Sequence, residues 1–95
     1  MKIRWSPDAA ADLARIVAYI KKDNRSAAQR TARIIFDQAA ALAHSPRIGR
    51  QGRIPGTREL PVPPLPFILV YRILEQEAIE IAAVVHGAQR WPPSK

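Results

Sequence analysis

Four side chains in the last forty residues could do chemistry: Arg58, Arg72, His86 and Arg90. A guanidinium fork grips a phosphate or carboxylate at two points, which an ammonium cannot do. An imidazole adds a group that can gain or lose a proton near neutral pH. Trp91, between Arg90 and a pair of prolines, reads equally as an exposed anchor or a core residue. The chain has no Cys and only two His, so neither a disulfide nor a thiolate metal site nor an ordinary zinc centre is possible. No metal or cofactor is implied.

Three segments must hold Arg58, Arg72 and His86, with Arg90 and Trp91 following the last of them. Thr57 to Val62, Phe67 to Leu74 and Ala78 to His86 are β-branched and aromatic runs bounded by Pro, Gly and acidic residues, the pattern of strands. If Glu75-Gln76-Glu77 is a three-residue turn, Phe67, Leu69, Tyr71 and Ile73 share a wholly apolar face with Ile79, Ile81, Ala83 and Val85. The opposite face then carries Ile68, Val70, Arg72, Leu74, Ala78, Glu80, Ala82, Val84 and His86, with Arg72 across from Glu80. A two-residue turn would instead set Tyr71 against Glu80 and leave Arg72 among aliphatic residues, so the first register is preferred.

The N-terminal half supplies a cover for the apolar face. Met1 to Trp5 alternates and reads as a short strand, ended by Ser6-Pro7, a helix cap followed by a first-turn proline. Leu13, Ile16, Val17 and Ile20 then recur at helical spacing until Lys21-Lys22-Asp23-Asn24. Ser26 and Gln29 form a capping-box pattern for a second helix over Ala27 to Ala43, with Ala28, Ala32, Ile35, Ala39 and Leu42 in one stripe and Ile34 and Phe36 on its flanks. His44 stands near its end as a helix-terminal cation when protonated. From Ser45 to Gly56 the chain is rich in Gly, Pro and Arg and has no acid, which predicts a loop carrying Arg47, Arg50 and Arg53.

Composition bounds the rest. Ninety-five residues with 47% hydrophobic content make one domain over 1–95 with a modest core. Fifteen Lys and Arg, eleven of them Arg, against eight Asp and Glu give a net charge of +7, which favours a polyanionic or strongly acidic partner. No run approaches the roughly 20 apolar residues of a membrane span, and the N-terminus lacks a signal-peptide core, so no membrane partner is expected and the cytoplasm is the default location.

The order of short motifs resembles a known family. Trp5 with Ala9 to Leu13, Tyr19-Ile20, Pro46-x-x-Gly49-Arg50-x-Gly52, Gly56 to Leu60, Val70-Tyr71-Arg72 and His86 to Pro92 together are similar to ParE-type toxins of the RelE/ParE superfamily, nearly end to end. These are toxins of type II toxin-antitoxin modules, often known as plasmid stabilization proteins. The resemblance implies an α+β fold in the order β-α-α-β-β-β, two antiparallel helices on a small twisted antiparallel sheet. It also implies a cognate antitoxin as partner. RelE-like members cleave mRNA on the ribosome, whereas ParE-like members are associated with inhibition of DNA gyrase. An RNase must activate a 2'-hydroxyl, neutralise a crowded phosphate and protonate a leaving oxygen. Here Ile68 stands where RelE-like enzymes carry an Arg, and the tail after His86 has no Tyr or second His. The resemblance therefore points to noncatalytic gyrase inhibition, with ribosome-dependent cleavage of mRNA by Arg58, Arg72 and His86 as the alternative.

Plainer roles stand beside these. Arg72 could simply pair with Glu80, Arg58 could be a strand-edge charge beside Glu59, and His86 has no carboxylate predictably placed to orient it. On the functional reading Arg58, Arg72, His86, Arg90 and Trp91 contact the target or the antitoxin. Trp5 and Tyr71 read as core.

Overall fold

The computed structural model describes residues 1–75 and 77–93. Strand β1 (Lys2–Trp5) leads into helix α1 (Pro7–Lys21), followed by α2 (Arg25–Ala41) and four strands, β2 (Arg50–Gln51), β3 (Arg58–Pro61), β4 (Phe67–Leu74) and β5 (Ala78–His86). They form one five-stranded sheet in the order β1-β5-β4-β3-β2. The α+β class and the two-helix layer agree with the expectation. Two details do not. The sheet is mixed rather than antiparallel, because β1 runs parallel to β5, and the basic loop contributes an extra strand, β2, paired antiparallel with β3.

Ser6 caps α1 as expected, its hydroxyl accepting from the Ala9 N–H at 3.0 Å. For α2 the capping-box expectation fails. Asn24 is the cap, accepting from the Ala27 N–H at 3.0 Å, and Ser26 lies inside the first turn. An Asn side chain caps as well as a Ser, and taking the earlier position lets the helix start at Arg25 and gain two residues over the expected start. Ala9 and Leu13 from α1 and Ala28, Ile35, Ala39 and Leu42 around α2 are buried. Most of these form one core with Leu69, Tyr71, Ile79, Ile81 and Val84 of the sheet.

The hairpin register near its turn is as read from sequence. Leu74 faces Ala78, Arg72 faces Glu80 and Tyr71 faces Ile81. The turn residue Gln76 lies outside the described residues; Glu77 adopts the left-handed conformation (φ 59°) that three-residue hairpin loops use. Beyond Tyr71 the register slips by one residue, since Val70 faces Ala83 and Ala82 has no counterpart. One extra residue reverses every later side chain. Val84 therefore points into the helix-covered core, while Ala83 and Val85 join Ile68 and Val70 in a second cluster on the other face. The expected placement of Ala83, Val84, Val85 and His86 is corrected accordingly. Trp91 packs on that second cluster, so Ile68 and Val70 are not left bare.

The two faces have different energetic weights. Ile81 is fully buried against the helices, and its truncation to Ala should cost about 2–5 kcal/mol. Arg72 and Glu80 form an ion pair of 2.6 Å with side chains 50% and 28% exposed, and Glu80→Ala should cost less than about 1 kcal/mol. Urea unfolding of both variants checks this; a larger loss for Glu80→Ala would reverse the assignment of faces.

Candidate functional site

The five residues singled out by sequence do not converge. Arg58 faces Tyr71 across β3 and β4, on the helix-covered side. Its guanidinium is not an idle strand-edge charge, since it donates to the carbonyls of Gly49 (2.8 Å) and Arg47 (3.3 Å). Arg72 lies on the opposite face, paired with Glu80, which also sits beside Arg4 of β1. His86 faces Phe67, edge-on to its ring at 5.6 Å, and the bulge has brought it to the α1 side. A strand rises about 3.4 Å per residue, so the Phe67 and Arg72 positions are roughly 17 Å apart along β4. Arg90 and Trp91 follow in the C-terminal segment, where the partly buried Trp91 keeps its indole Nε1 without a hydrogen-bond acceptor among the described residues.

His86 sits where two surface grooves meet, one of about 720 Å³ and one of about 410 Å³. The larger runs along α1 and is lined by Ile16, Tyr19, Ile20, Leu65 and Phe67, with Arg15 and Lys22 at its margin. Tyr19 is 73% exposed there. Asp12, ion-paired with Arg15, accepts the Val84 N–H at 3.0 Å and so closes the β5 backbone beside the bulge. The Ser6 hydroxyl donates to the Ala82 carbonyl at 3.1 Å.

Sequence reasoning missed a densely bonded polar cluster around Glu59. Glu59 is 1% exposed. It receives Arg53 through its backbone N–H (3.0 Å) and its guanidinium (3.0 and 3.3 Å), and Arg50 at 3.1 Å. Burial pushes the carboxyl pKa up, but the hydrogen bonds and charge from Arg53 and the bond from Arg50 outweigh it and bring it down to about 2. Two of the three loop cations are thus bound internally. The available signal was an acid in β3 directly after an acid-free stretch holding Arg50 and Arg53. Tyr71, fully buried, completes the loop's attachment: its hydroxyl donates to the Pro46 carbonyl at 2.7 Å and accepts from the Gly49 N–H at 2.9 Å. Gly49 is required by this approach, since a Cβ there would lie 2.7 Å from the Tyr71 oxygen.

What the geometry offers is a set of preformed surfaces: an apolar groove with cationic margins, and a basic loop bolted to the sheet. The family model for the ParE toxin of the type II toxin-antitoxin system parDE matches residues 3–91. The chain belongs to the ParE toxin family. A Sinorhizobium fredii (strain NBRC 101917 / NGR234) protein named as a candidate toxin, Y4kP, is 44% identical over 91 residues, 96% of this chain and 93% of its own length. A chain from the chromosomal ParDE toxin-antitoxin system of P. aeruginosa superposes with a TM-score of 0.80 at 26% identity, over 90% of this toxin and 95% of that chain. A chain of the intact E. coli RelBE toxin-antitoxin complex shares the fold, with a TM-score of 0.62 at 14% identity over 94% and 98% of the two chains. No helix among the described residues is long and apolar enough to cross a membrane.

The Glu59 cluster makes the toxin's acid stability predictable. Because the folded-state pKa lies below the ordinary value of 4.5, ionised Glu59 stabilises the fold fully above about pH 4.5, and this contribution is lost as pH falls towards about 2. The shift corresponds to a stabilisation on the order of 3 kcal/mol. In urea unfolding measured from pH 6 to pH 2, Glu59→Gln should be less stable at neutral pH and should lose part of the wild-type acid dependence. Parallel acid limbs in the two proteins would show that Glu59 is not the group responsible.

Proposed function

We propose that this ParE-family toxin arrests growth by binding and inhibiting DNA gyrase without catalysing a reaction, and that a cognate antitoxin neutralises it. The separation of Arg58, Arg72 and His86 carries this reading. A general base must come within about 3 Å of its proton, or reach it through one water. Arg72 and His86 face opposite sides of the sheet, and the Arg58 guanidinium is engaged by backbone carbonyls. The three do not surround a common phosphate position. A binding mode needs no such convergence.

The antitoxin fits the groove along α1. Its apolar lining, including Tyr19 and Phe67, takes hydrophobic anchors, and Arg15 and Lys22 at the margin favour a segment bearing carboxylates. Apolar burial supplies about 25 cal/mol per Å² before ordering costs, and complementarity to the net charge of +7 mainly speeds encounter.

His86→Gln keeps a polar group and abolishes imidazole proton transfer. Its expected effect on growth arrest is small, and purified wild-type toxin should inhibit gyrase supercoiling while leaving mRNA intact in an in vitro translation reaction. Loss of arrest in folded His86→Gln, together with cleaved mRNA produced by the wild type on ribosomes, would establish the endoribonuclease alternative instead.

A further inference from the structure

Among the described residues, the acid-free loop presents one cation without a side-chain partner and one bare aliphatic side chain, side by side. Arg50 and Arg53 are held by Glu59, whereas the Arg47 guanidinium has no hydrogen bond or ion pair among the described residues. Ile48, its neighbour, is 65% exposed.

The backbone beneath them is fixed on both sides. The Ile48 N–H donates to the Ser45 carbonyl at 3.2 Å. Tyr71 holds Pro46 and Gly49, and Arg58 holds the carbonyls of Arg47 and Gly49. A loop without regular structure normally loses conformational entropy when it binds. Here that loss has already been taken during folding, which is the condition under which a small contact surface binds well.

We propose that Arg47 and Ile48 are the contact by which the toxin engages its target, and that this target presents an apolar socket rimmed by carboxylates on a protein surface. The inference rests on the toxin reading and specifies where its target sits. An isoleucine in water gains free energy only when it meets apolar surface. A phosphodiester backbone offers none, and two of the loop's three guanidinium forks already hold a carboxylate. The loop is also apart from the α1 groove: Tyr71, its anchor, lies four residues along β4 from Phe67, about 13 Å. Target and antitoxin contacts are therefore separable by substitution.

The test uses the full chain under graded induction, with arrest scored against the amount of folded toxin and with copurification of the cognate antitoxin. Ile48→Ser and Arg47→Gln should each raise the toxin level needed for arrest by about tenfold or more, the scale of a central interface residue, and leave copurification unchanged. Tyr71→Phe, a positioning variant that removes only the hydroxyl, should raise the arrest threshold per folded molecule as well; a purely structural role would lower thermal stability without moving that threshold. Full arrest by Ile48→Ser overturns the proposal. So does parallel loss of copurification, which would assign the loop to the antitoxin. A threshold moved by Arg47→Gln but not by Ile48→Ser points to a nucleic acid and overturns the protein socket. A wild-type chain that arrests nothing removes the toxin reading, and this inference with it.

Discussion

The extra residue in β5 governs how the rest of the molecule is laid out. Ala82 has no partner in β4, and because side chains alternate with a period of two, its presence turns Val84 inward and Ala83 and Val85 outward. A bulge also frees backbone groups that must find other partners. Those partners come from the N-terminal quarter of the chain. The Ser6 hydroxyl donates to the Ala82 carbonyl while capping α1, and Asp12, nearly two turns later, accepts the Val84 N–H. Helix α1 is therefore positioned by hydrogen bonds to the irregular part of the sheet as well as by the core. The groove beside it, His86 included, is a product of that attachment.

A second constraint acts on charge. The field of a +7 chain reads as a surface property, yet several of its cations act as internal struts. Arg50 and Arg53 neutralise a buried carboxylate, and Arg58 ties down two carbonyls. Guanidinium suits this work because its several N–H groups lie in one plane and it stays charged near apolar surface. Counting cations from composition thus overstates how many are available to a partner.

How much of this was legible in the sequence follows from the range of each interaction. Ser6-Pro7 and the spacing of Leu13 and Ile16 encode α1 locally, and Arg72 opposite Glu80 follows from a three-residue turn. The bulge left no trace, because Ala82 to Val85 is apolar throughout and so carries no alternation that a slip could interrupt. The parallel docking of β1 also escaped notice, since a four-residue strand carries no mark of direction. The internal role of Glu59 depends on a loop folding back across β3, a contact that its place beside Arg58 in the sequence does not encode. For the candidate site, residue types were readable but co-location was not: Arg58, Arg72 and His86 share neither a face nor an end of the sheet.

The pairing of β1 with β5 also orders events in time. Among the described residues, Lys2–Trp5 has its sheet partner in Ala78–His86 alone, far later in the chain. Until that last strand emerges, β1 has no ladder to join, and the Ser6 and Asp12 bonds to β5 cannot form. Contacts this far apart in sequence are the slow, late ones in folding. The sheet therefore closes only once β5 is available, so a truncated product lacking β5 would carry neither the groove nor a completed sheet on which to display the loop.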